Sequence, residues 1–417
     1  MQKKLYHFLI IYDKIKKGKT KEKSSNNQGR KKEKMKNKVA SFIITIVMLL
    51  IIIVLGLFIL FVWQEIFGGD DENIQVENYV STYNPTSEKS VEDSEKMTTP
   101  QIIKDKINQI INNSQTKTEE KETYNYAEVQ VDKYFYNQLN DYSKIIYKAF
   151  EKNKEEMKTG TAQIELGDVF TDVLKTEGGD QKLEEYYQSA VETYLYDNPD
   201  VFYISASKLY LNIETTTKRK NKTYDVFINS GEKPNYFTDE FTTESQVKQT
   251  ISQLEKIRSV INSQKSNNPY YDIKMVHDYL IDNIDYDTTL AKKNIYDIYG
   301  ALVQKSCVCE GYAKAFKYLI DQMEIPCVMV IGQATNTNGQ TENHAWNYVQ
   351  IENNWYAIDC TWDDPVVIGN GKVGNDVRYR YFLRGSSTMS KDHVTSAQFT
   401  DGGETYEYPT LNVSDYR

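Results

Sequence analysis

Residues able to perform nucleophilic chemistry gather in the C-terminal third of the sequence, beginning with Cys309. In the segment SCVCEGYAKAFKYLIDQM, the residues Ala313, Phe316 and Ile320 form an apolar helical face, which predicts that Cys309 stands at the first turn of a helix. A thiol attacks as the thiolate, and the dipole and free N–H groups of a helix N-terminus lower the pKa of such a thiol. The pattern therefore indicates a reactive cysteine rather than a buried structural one.

An activated thiol also needs a general base, and two histidines follow Cys309 in the chain. His344 begins the segment HAWNYVQIENNWYAID, whose alternation predicts a β-hairpin. His393 lies in the polar stretch SKDHVTS, which has no strand pattern. We therefore interpret His344 as the candidate base.

The imidazole needs an acceptor that orients it, and the sequence offers Asp359 and Asp363. Alternation places His344 and Asp359 on the same face of the hairpin. A two-residue turn at Asn353-Asn354 would set His344 opposite Asp363, with Asp359 about 13 Å away along the strand. Direct pairing of His344 with Asp359 requires a bend near Ile351–Glu352, or a bulge. Spacing alone leaves both aspartates open.

Helices and strands upstream would have to hold these residues in place. Apolar residues at helical spacing predict four helices, and apolar runs predict strands; the helices are expected near 139–150, 183–194, 247–261 and 273–284, and the strands near 209–213 and 224–228. The turn signal Asn198-Pro199-Asp200 should end the second helix. The run CVMVIGQA, from Cys327, predicts a buried strand before the hairpin. His277, on the fourth helix, is interpreted as a structural histidine.

The N-terminal part of the sequence has the pattern of a membrane anchor. Residues 1–38 form a basic tail, and residues 39–64 carry no charge and reach the roughly 20 apolar residues that cross a bilayer core. A cleaved signal peptide would have a shorter basic lead and a shorter apolar stretch. Because basic flanks stay in the cytoplasm, we predict a single-pass cell-membrane protein with a cytoplasmic N-terminus. Outside the cell we expect a flexible linker (65–124), a mixed region (125–265) and a catalytic domain (266–417).

The charge distribution argues against nucleic-acid binding. The chain carries a net charge of −9, and residues 1–38 carry +11, so the remainder carries −20. An acidic surface of this kind repels phosphates. A metal site built from Cys307, Cys309, His344 and Asp359 is disfavoured, because the sequence has neither a CxxC pair nor HExxH. We expect neither a metal nor an organic cofactor.

Three runs of the sequence, VCEGYAKAF, HAWNYV and WYAIDCTWDDP, together resemble the transglutaminase-like superfamily, specifically its bacterial surface-protein branch. The segments DIYGALV and VHDYLIDNIDYD are also similar to the family, and the resemblance covers roughly residues 266–400. It implies an α+β, papain-like core in which a helix bearing the cysteine packs on an antiparallel sheet, preceded by a mainly helical region and the transmembrane helix. It also implies a triad with Cys309 as nucleophile, His344 as general base and Asp359 as orienting acid.

The function expected from these features is cysteine-dependent acyl transfer on peptide or protein amides at the cell envelope, through a thioester. Transfer to water would make the protein a peptidase or amidase, and transfer to an amine would make it a crosslinking transglutaminase. The sequence leaves both outcomes open. The alternative is a non-catalytic peptide- or envelope-binding module on the same fold. The backbone N–H of Cys309 and a second donor, for which Gln304 is one candidate, would stabilise the oxyanion.

The remaining three cysteines carry weaker signals. Cys307 departs from the family pattern, and we expect it to pack rather than to cap Cys309 as a disulfide. Cys327 and Cys360 are expected to be buried in strands, either free or joined to each other.

Overall fold

The computed structural model describes residues 73–77, 126–218, 221–364, 374–396 and 405–417. The predicted basic tail and membrane span (1–64) lie outside these ranges, as does most of the predicted linker. Among the helices that the structure describes, none is long and apolar enough to cross a membrane.

Helices and strands are mixed along the described chain, in agreement with the predicted α+β class. The helices are α1 (Asp141–Lys152), α2 (Thr171–Leu174), α3 (Gly179–Asp197), α4 (Glu244–Asn262), α5 (Pro269–Asn283), α6 (Cys309–Ile320), α7 (Asn375–Arg378) and α8 (Ser386–Met389). The strands are β1 (Asn73–Glu77), β2 (Ile164–Gly167), β3 (Tyr210–Lys218), β4 (Asn221–Asn229), β5 (Asp285–Tyr286), β6 (Ser306–Cys307), β7 (Cys327–Thr335), β8 (Thr341–Ile351), β9 (Asn354–Ile358) and β10 (His393–Thr395).

The four predicted helices are confirmed as α1, α3, α4 and α5, and local capping explains where they begin. The Asn140 side chain accepts a hydrogen bond from Ser143 N at the start of α1. Thr243 and Gln246 form a capping box at α4. Asn268 caps α5, which has Pro269 in its first turn. Helix α3 ends at Asp197, where the predicted turn signal begins.

The first sheet is antiparallel in the order β1-β3-β4-β2. Its central hairpin, β3-β4, confirms the two predicted strands. The edge strand β1 lies within the stretch predicted as a linker and pairs with β3 from Asn73↔Thr217 to Glu77↔Ile213. Helix α1 packs on α3 beside this sheet.

The second sheet is antiparallel in the order β10-β7-β8-β9, and α6 packs against β7 and β8. A helix that begins at Cys309 therefore lies on an antiparallel sheet, as predicted. Strands β8 and β9 are joined at Glu352 and Asn353, whose φ angles of 49° and 66° fit a two-residue hairpin turn. This register, with Ile351 opposite Asn354, falls between the two expected from the sequence.

One hydrophobic core joins the regions predicted as 125–265 and 266–417. It runs from Tyr126 to Tyr406 and includes Tyr194 of α3, Phe316 of α6 and Trp346 of β8. Because both regions bury side chains in the same core, the helices near the N-terminal sheet also support the second sheet.

Candidate active site

Cys309 is the first residue of α6, as the sequence predicts. The preceding residue, Val308, is extended, and its N–H donates to the Ile295 carbonyl oxygen at 3.0 Å. The N–H groups of the first helical turn lack intrahelical acceptors, so they are available to an anion beside the thiol. Cys309 is partly exposed, whereas Cys307 is buried.

Close packing fixes the backbone on both sides of the thiol. Strand β6 pairs in parallel with β5, placing Cys307 beside Tyr286. Within the first turn of the helix, a Cβ at Gly311 would lie 2.6 Å from Cys307 Cβ and 2.7 Å from the Ile295 carbonyl oxygen. Since real Cβ atoms do not approach this closely, glycine is required here for α6 to pack as it does.

His344 and Asp359 meet across the hairpin. Their Nε2 and Oδ2 atoms lie 2.7 Å apart, and both residues are buried. The last regular pair of β8 and β9 is Asn347↔Ile358, so Asp359 lies just beyond the ladder and reaches His344 diagonally. Alternation predicted their common face, and the turn at Glu352 set the distance between them.

The pKa values of His344 and Asp359 shift in the direction set by the interaction between their opposite charges. Burial disfavours an imidazolium, but the charge and hydrogen bond of Asp359, together with the Cys309 thiol, raise the pKa of His344 well above its usual range. Burial also disfavours the carboxylate, yet His344 and His393 hold the pKa of Asp359 well below its usual range. Because Asp359 occupies Nε2, the other ring nitrogen, Nδ1, is left for Cys309.

Four donors fix the Asp359 carboxylate. The backbone N–H groups of Thr361 and Trp362 donate to Oδ1 at 3.0 and 3.1 Å, an arrangement that aspartate commonly makes with the turn that follows it. His344 and His393 both approach Oδ2, the latter at 3.1 Å. His393, which the sequence pattern disfavoured as the base, lies buried on β10 rather than in an irregular polar stretch.

Asp363, the alternative acceptor, pairs with a different histidine. Its Oδ2 lies 3.0 Å from Nε2 of His277, and its Oδ1 accepts from Tyr381 N at 2.8 Å. His277 is fully buried, and its Nδ1 lies 3.1 Å from Asp278 Oδ1. The structural role predicted for His277 agrees with this geometry, and Asp359 alone of the two candidate aspartates contacts His344.

Side chains from three elements form an apolar wall beside the thiol. Cys309 packs against a small cluster formed by Ala313 of α6, Met329 of β7 and Ala345 of β8. Tyr196, on α3, contacts the same cluster, so the region before residue 265 contributes directly to the site.

Two side chains are candidates for the second oxyanion donor. The Gln304 amide, the candidate from the sequence, donates one hydrogen bond to the Lys293 carbonyl oxygen at 3.3 Å. Tyr286 interacts electrostatically with Cys309: burial and then the charge of Cys309 raise the pKa of this phenol to about 12. Its hydroxyl is therefore protonated and able to donate at neutral pH.

His344, Asp359 and His393 are also the residues whose donor atoms could hold a metal, since these atoms lie within 4.8 Å of one another. In a tetrahedral zinc site, bonds of about 2.0 Å place the ligand atoms about 3.3 Å apart. The 2.7 Å separation of His344 Nε2 and Asp359 Oδ2 is shorter than this and fits a charge-assisted hydrogen bond. We therefore interpret the cluster as a hydrogen-bonded network.

The other cysteines do not extend the site. All four cysteines are free thiols, and Cys307, Cys327 and Cys360 are buried. Cys327 begins β7 as expected, whereas Cys360 lies in the turn after β9 rather than in a strand.

The span that holds this geometry matches a known family. Residues 258–360 match the core model of the transglutaminase-like superfamily, and they contain Cys309, His344 and Asp359. These residues form a transglutaminase-like domain. The kyphoscoliosis peptidase of Mus musculus is 25% identical over 132 residues, which cover 29% of this chain and 20% of that protein. The Homo sapiens protein of the same name is 22% identical over 156 residues, which cover 35% of this chain and 22% of that protein.

The aligned part therefore spans about a fifth of the length of these curated relatives. Two solved structures are also similar to the chain. A TGase crystal structure shares 16% identity at a TM-score of 0.26, covering 42% of this chain and 50% of the other. A proposed cysteine protease from Cytophaga hutchinsonii shares 14% identity at a TM-score of 0.22, covering 37% of this chain and 64% of the other.

Proposed function

We propose that this protein is a membrane-tethered, extracellular cysteine enzyme that cleaves peptide or protein amide bonds by acyl transfer. The observation that carries the proposal is the 2.7 Å contact between His344 Nε2 and Asp359 Oδ2, which leaves Nδ1 for the thiol at the start of α6. The family match and the peptidase name of the two curated relatives support the same chemistry.

In the first step, the thiol proton passes from Cys309 to His344 Nδ1, and the sulfur attacks the amide carbonyl carbon. First-turn N–H groups of α6 face the oxyanion that forms. The C–N bond then breaks as the His344 imidazolium gives its proton to the leaving amine. An acyl thioester on Cys309 and a free amine result.

In the second step, His344 removes a proton from the acceptor as it attacks the thioester carbonyl. Water yields a carboxylic acid, which is hydrolysis, and a primary amine yields a new amide, which is crosslinking. The C–S bond breaks and the Cys309 thiol is restored. Throughout, the Asp359 carboxylate stabilises the imidazolium and keeps its Nε2–H in place.

The proposed location rests on the amino-acid sequence. Residues 39–64 carry no charge and follow the basic residues 1–38, so the catalytic domain would face the outside of the cell. Peptides and proteins of the cell envelope are then the expected substrates. An impermeant maleimide added to intact cells should label Cys309, the cysteine that is not buried. Labelling only after lysis would contradict an extracellular domain.

The activity is tested on the full-length protein in detergent. Wild type, Cys309→Ala and Cys307→Ala would each be treated with iodoacetamide near neutral pH, and then with a peptide pool with and without a primary amine. We expect rapid labelling at Cys309 in wild type and in Cys307→Ala, and peptide products in these two proteins alone. Product masses distinguish hydrolysis from amine transfer. Labelling of Cys309 no faster than a free model thiol would favour the non-catalytic binding module.

A further inference from the structure

His393 is buried although it lies in a polar stretch without a strand pattern. It begins the edge strand β10 and pairs with Ala334 of β7. Its side chain is 1% exposed, although its neighbours Val394 and Thr395 are exposed. A histidine this deeply buried needs partners for both ring nitrogens.

Both nitrogens of His393 face carboxylates. Nε2 lies 3.1 Å from Asp359 Oδ2, and Nδ1 lies 2.7 Å from Asp392 Oδ1. The other oxygen of Asp392 accepts from the Tyr381 hydroxyl at 2.7 Å. Both ring nitrogens are therefore within hydrogen-bond distance of a carboxylate oxygen, so the ring is held between Asp359 and Asp392.

Aromatic rings fix the orientation of the His393 ring. The centroids of Trp362, Trp346 and Tyr381 lie 4.7, 5.0 and 5.2 Å from that of His393. Two of these residues also flank His344: its ring centroid lies 5.5 Å from Trp362 and 5.9 Å from Trp346. The same indoles therefore hold both imidazoles against the carboxylate between them.

We propose that His393 is a positioning residue that holds the Asp359 carboxylate against His344. The inference rests on the proposed function, because it assigns His393 a part in the same reaction. His393 touches neither the thiol nor the reacting carbonyl, and it acts through the oxygen that it shares with His344. Without this donor, Oδ2 keeps a single side-chain partner, and the carboxylate has more freedom to turn away from the base.

Two variants separate this role from a merely structural one. In His393→Gln the amide reaches about as far as imidazole Nε2 and keeps a donor for Asp359. In His393→Asn the amide reaches about as far as Nδ1 and keeps a donor for Asp392. Both variants remove the ring, and they differ in which carboxylate keeps a donor: Asp359 in His393→Gln and Asp392 in His393→Asn.

The experiment compares full-length wild type with the two variants in two readouts. The first is the rate of iodoacetamide labelling at Cys309, and the second is the solvent exchange of the His344 Nε2 proton, followed by NMR. We expect His393→Asn to label on the order of 10-fold more slowly, as is common when a residue supporting an active site is removed. We also expect its His344 proton to exchange faster. His393→Gln should stay close to wild type in both.

Equal behaviour of the two variants, whether both impaired or both unimpaired, would overturn the positioning role. The proton-exchange readout does not depend on catalysis. Slow labelling of wild-type Cys309 would therefore contradict the proposed function, while the exchange rates would still decide the role of His393.

Discussion

Asp359 and Asp363 lie four residues apart, both are buried, and each is paired with a histidine imidazole. Around Asp359 the partner is His344, whose pKa is also raised by the thiol of Cys309. Around Asp363 the partner is His277, which lies on α5. The same two residue types thus form two networks, and the one with His344 and Asp359 lies beside the thiol of Cys309.

The two carboxylates differ in the donors that reach them. Two imidazoles and two backbone N–H groups donate to Asp359, and its pKa lies well below the usual range. His277 and Tyr381 N donate to Asp363, and there burial outweighs the hydrogen bonds and raises the pKa to about 6. A buried carboxylate therefore keeps its charge where enough donors converge on it. In the proposed reaction that charge stabilises the imidazolium that forms on His344.

The largest expected effect is a difference in the rate of amide cleavage between variants of His344 and of His277. His344→Gln keeps an amide donor for Asp359 but cannot take a proton, so amide cleavage should fall on the order of 10⁴-fold or more. His277→Gln should stay within about 10-fold of wild type, because it lies outside the proposed proton path. Rates on a substrate peptide, with folding checked by circular dichroism, measure both. A loss in His277→Gln as large as that in His344→Gln would show that the two networks act as one.

The second-largest expected effect is a difference between Asp359 and Asp363 in the pH dependence of stability. A raised pKa at Asp363 means that the folded state binds this proton more tightly, so the stabilisation is present below about pH 4 and is lost as pH rises toward 6. Across that window the loss is on the order of 2 to 3 kcal/mol. Asp363→Asn should remove this part of the decrease in the free energy of unfolding with rising pH. Denaturant titrations from pH 4 to 7 measure it.

Asp359→Asn should change the pH dependence of the free energy of unfolding in the opposite direction from Asp363→Asn. The lowered pKa of Asp359 contributes stability above about pH 4 that is lost as pH falls through the folded value, so the variant loses stability mainly at neutral pH. Parallel profiles for the two variants would contradict the charge difference between the networks.

The smallest effect on stability is expected at Lys274, which lies at the edge of the network formed by His277 and Asp363. Lys274 forms an ion pair with Asp278, and its ammonium lies 4.5 Å from the centroid of the Tyr379 ring. Because Lys274 is partly exposed, Lys274→Met should lower the free energy of unfolding by less than about 1 kcal/mol. Cys309 labelling should be the same as in wild type. A slower rate would mean that α5 transmits changes to the thiol.

Local patterns in the sequence were enough to predict where Cys309 and His344, the candidate nucleophile and base, lie in the fold. The apolar face of α6 located Cys309 at a helix start, and alternation placed His344 and Asp359 on one face. Both signals come from residues that are near in the chain, which is why they could be read without a structure.

Features that depend on distant or weakly patterned segments could not be read in the same way. The hairpin register depended on the positive φ angles of Glu352 and Asn353, which left Asp359 and Asp363 undecided. The pairing of His277 with Asp363 spans 86 residues. His393 begins a strand of three residues in a polar stretch, too short to show alternation, and the neighbouring sheet buries it. The predicted membrane span lies outside the described residues and stays a prediction.

The most direct test of the triad is the rate of iodoacetamide labelling at Cys309 in Asp359→Asn and in Asp363→Asn. Backbone donors hold the amide oxygen at Oδ1 in both variants, so the new NH₂ faces a histidine Nε2. His344 would then carry its proton on Nδ1 and could not accept one from the thiol, whereas His277 would still donate from Nδ1 to Asp278. We predict a fall on the order of 10³- to 10⁴-fold in Asp359→Asn and a rate near wild type in Asp363→Asn. Equal rates in the two variants would contradict the assignment of Asp359 to the triad.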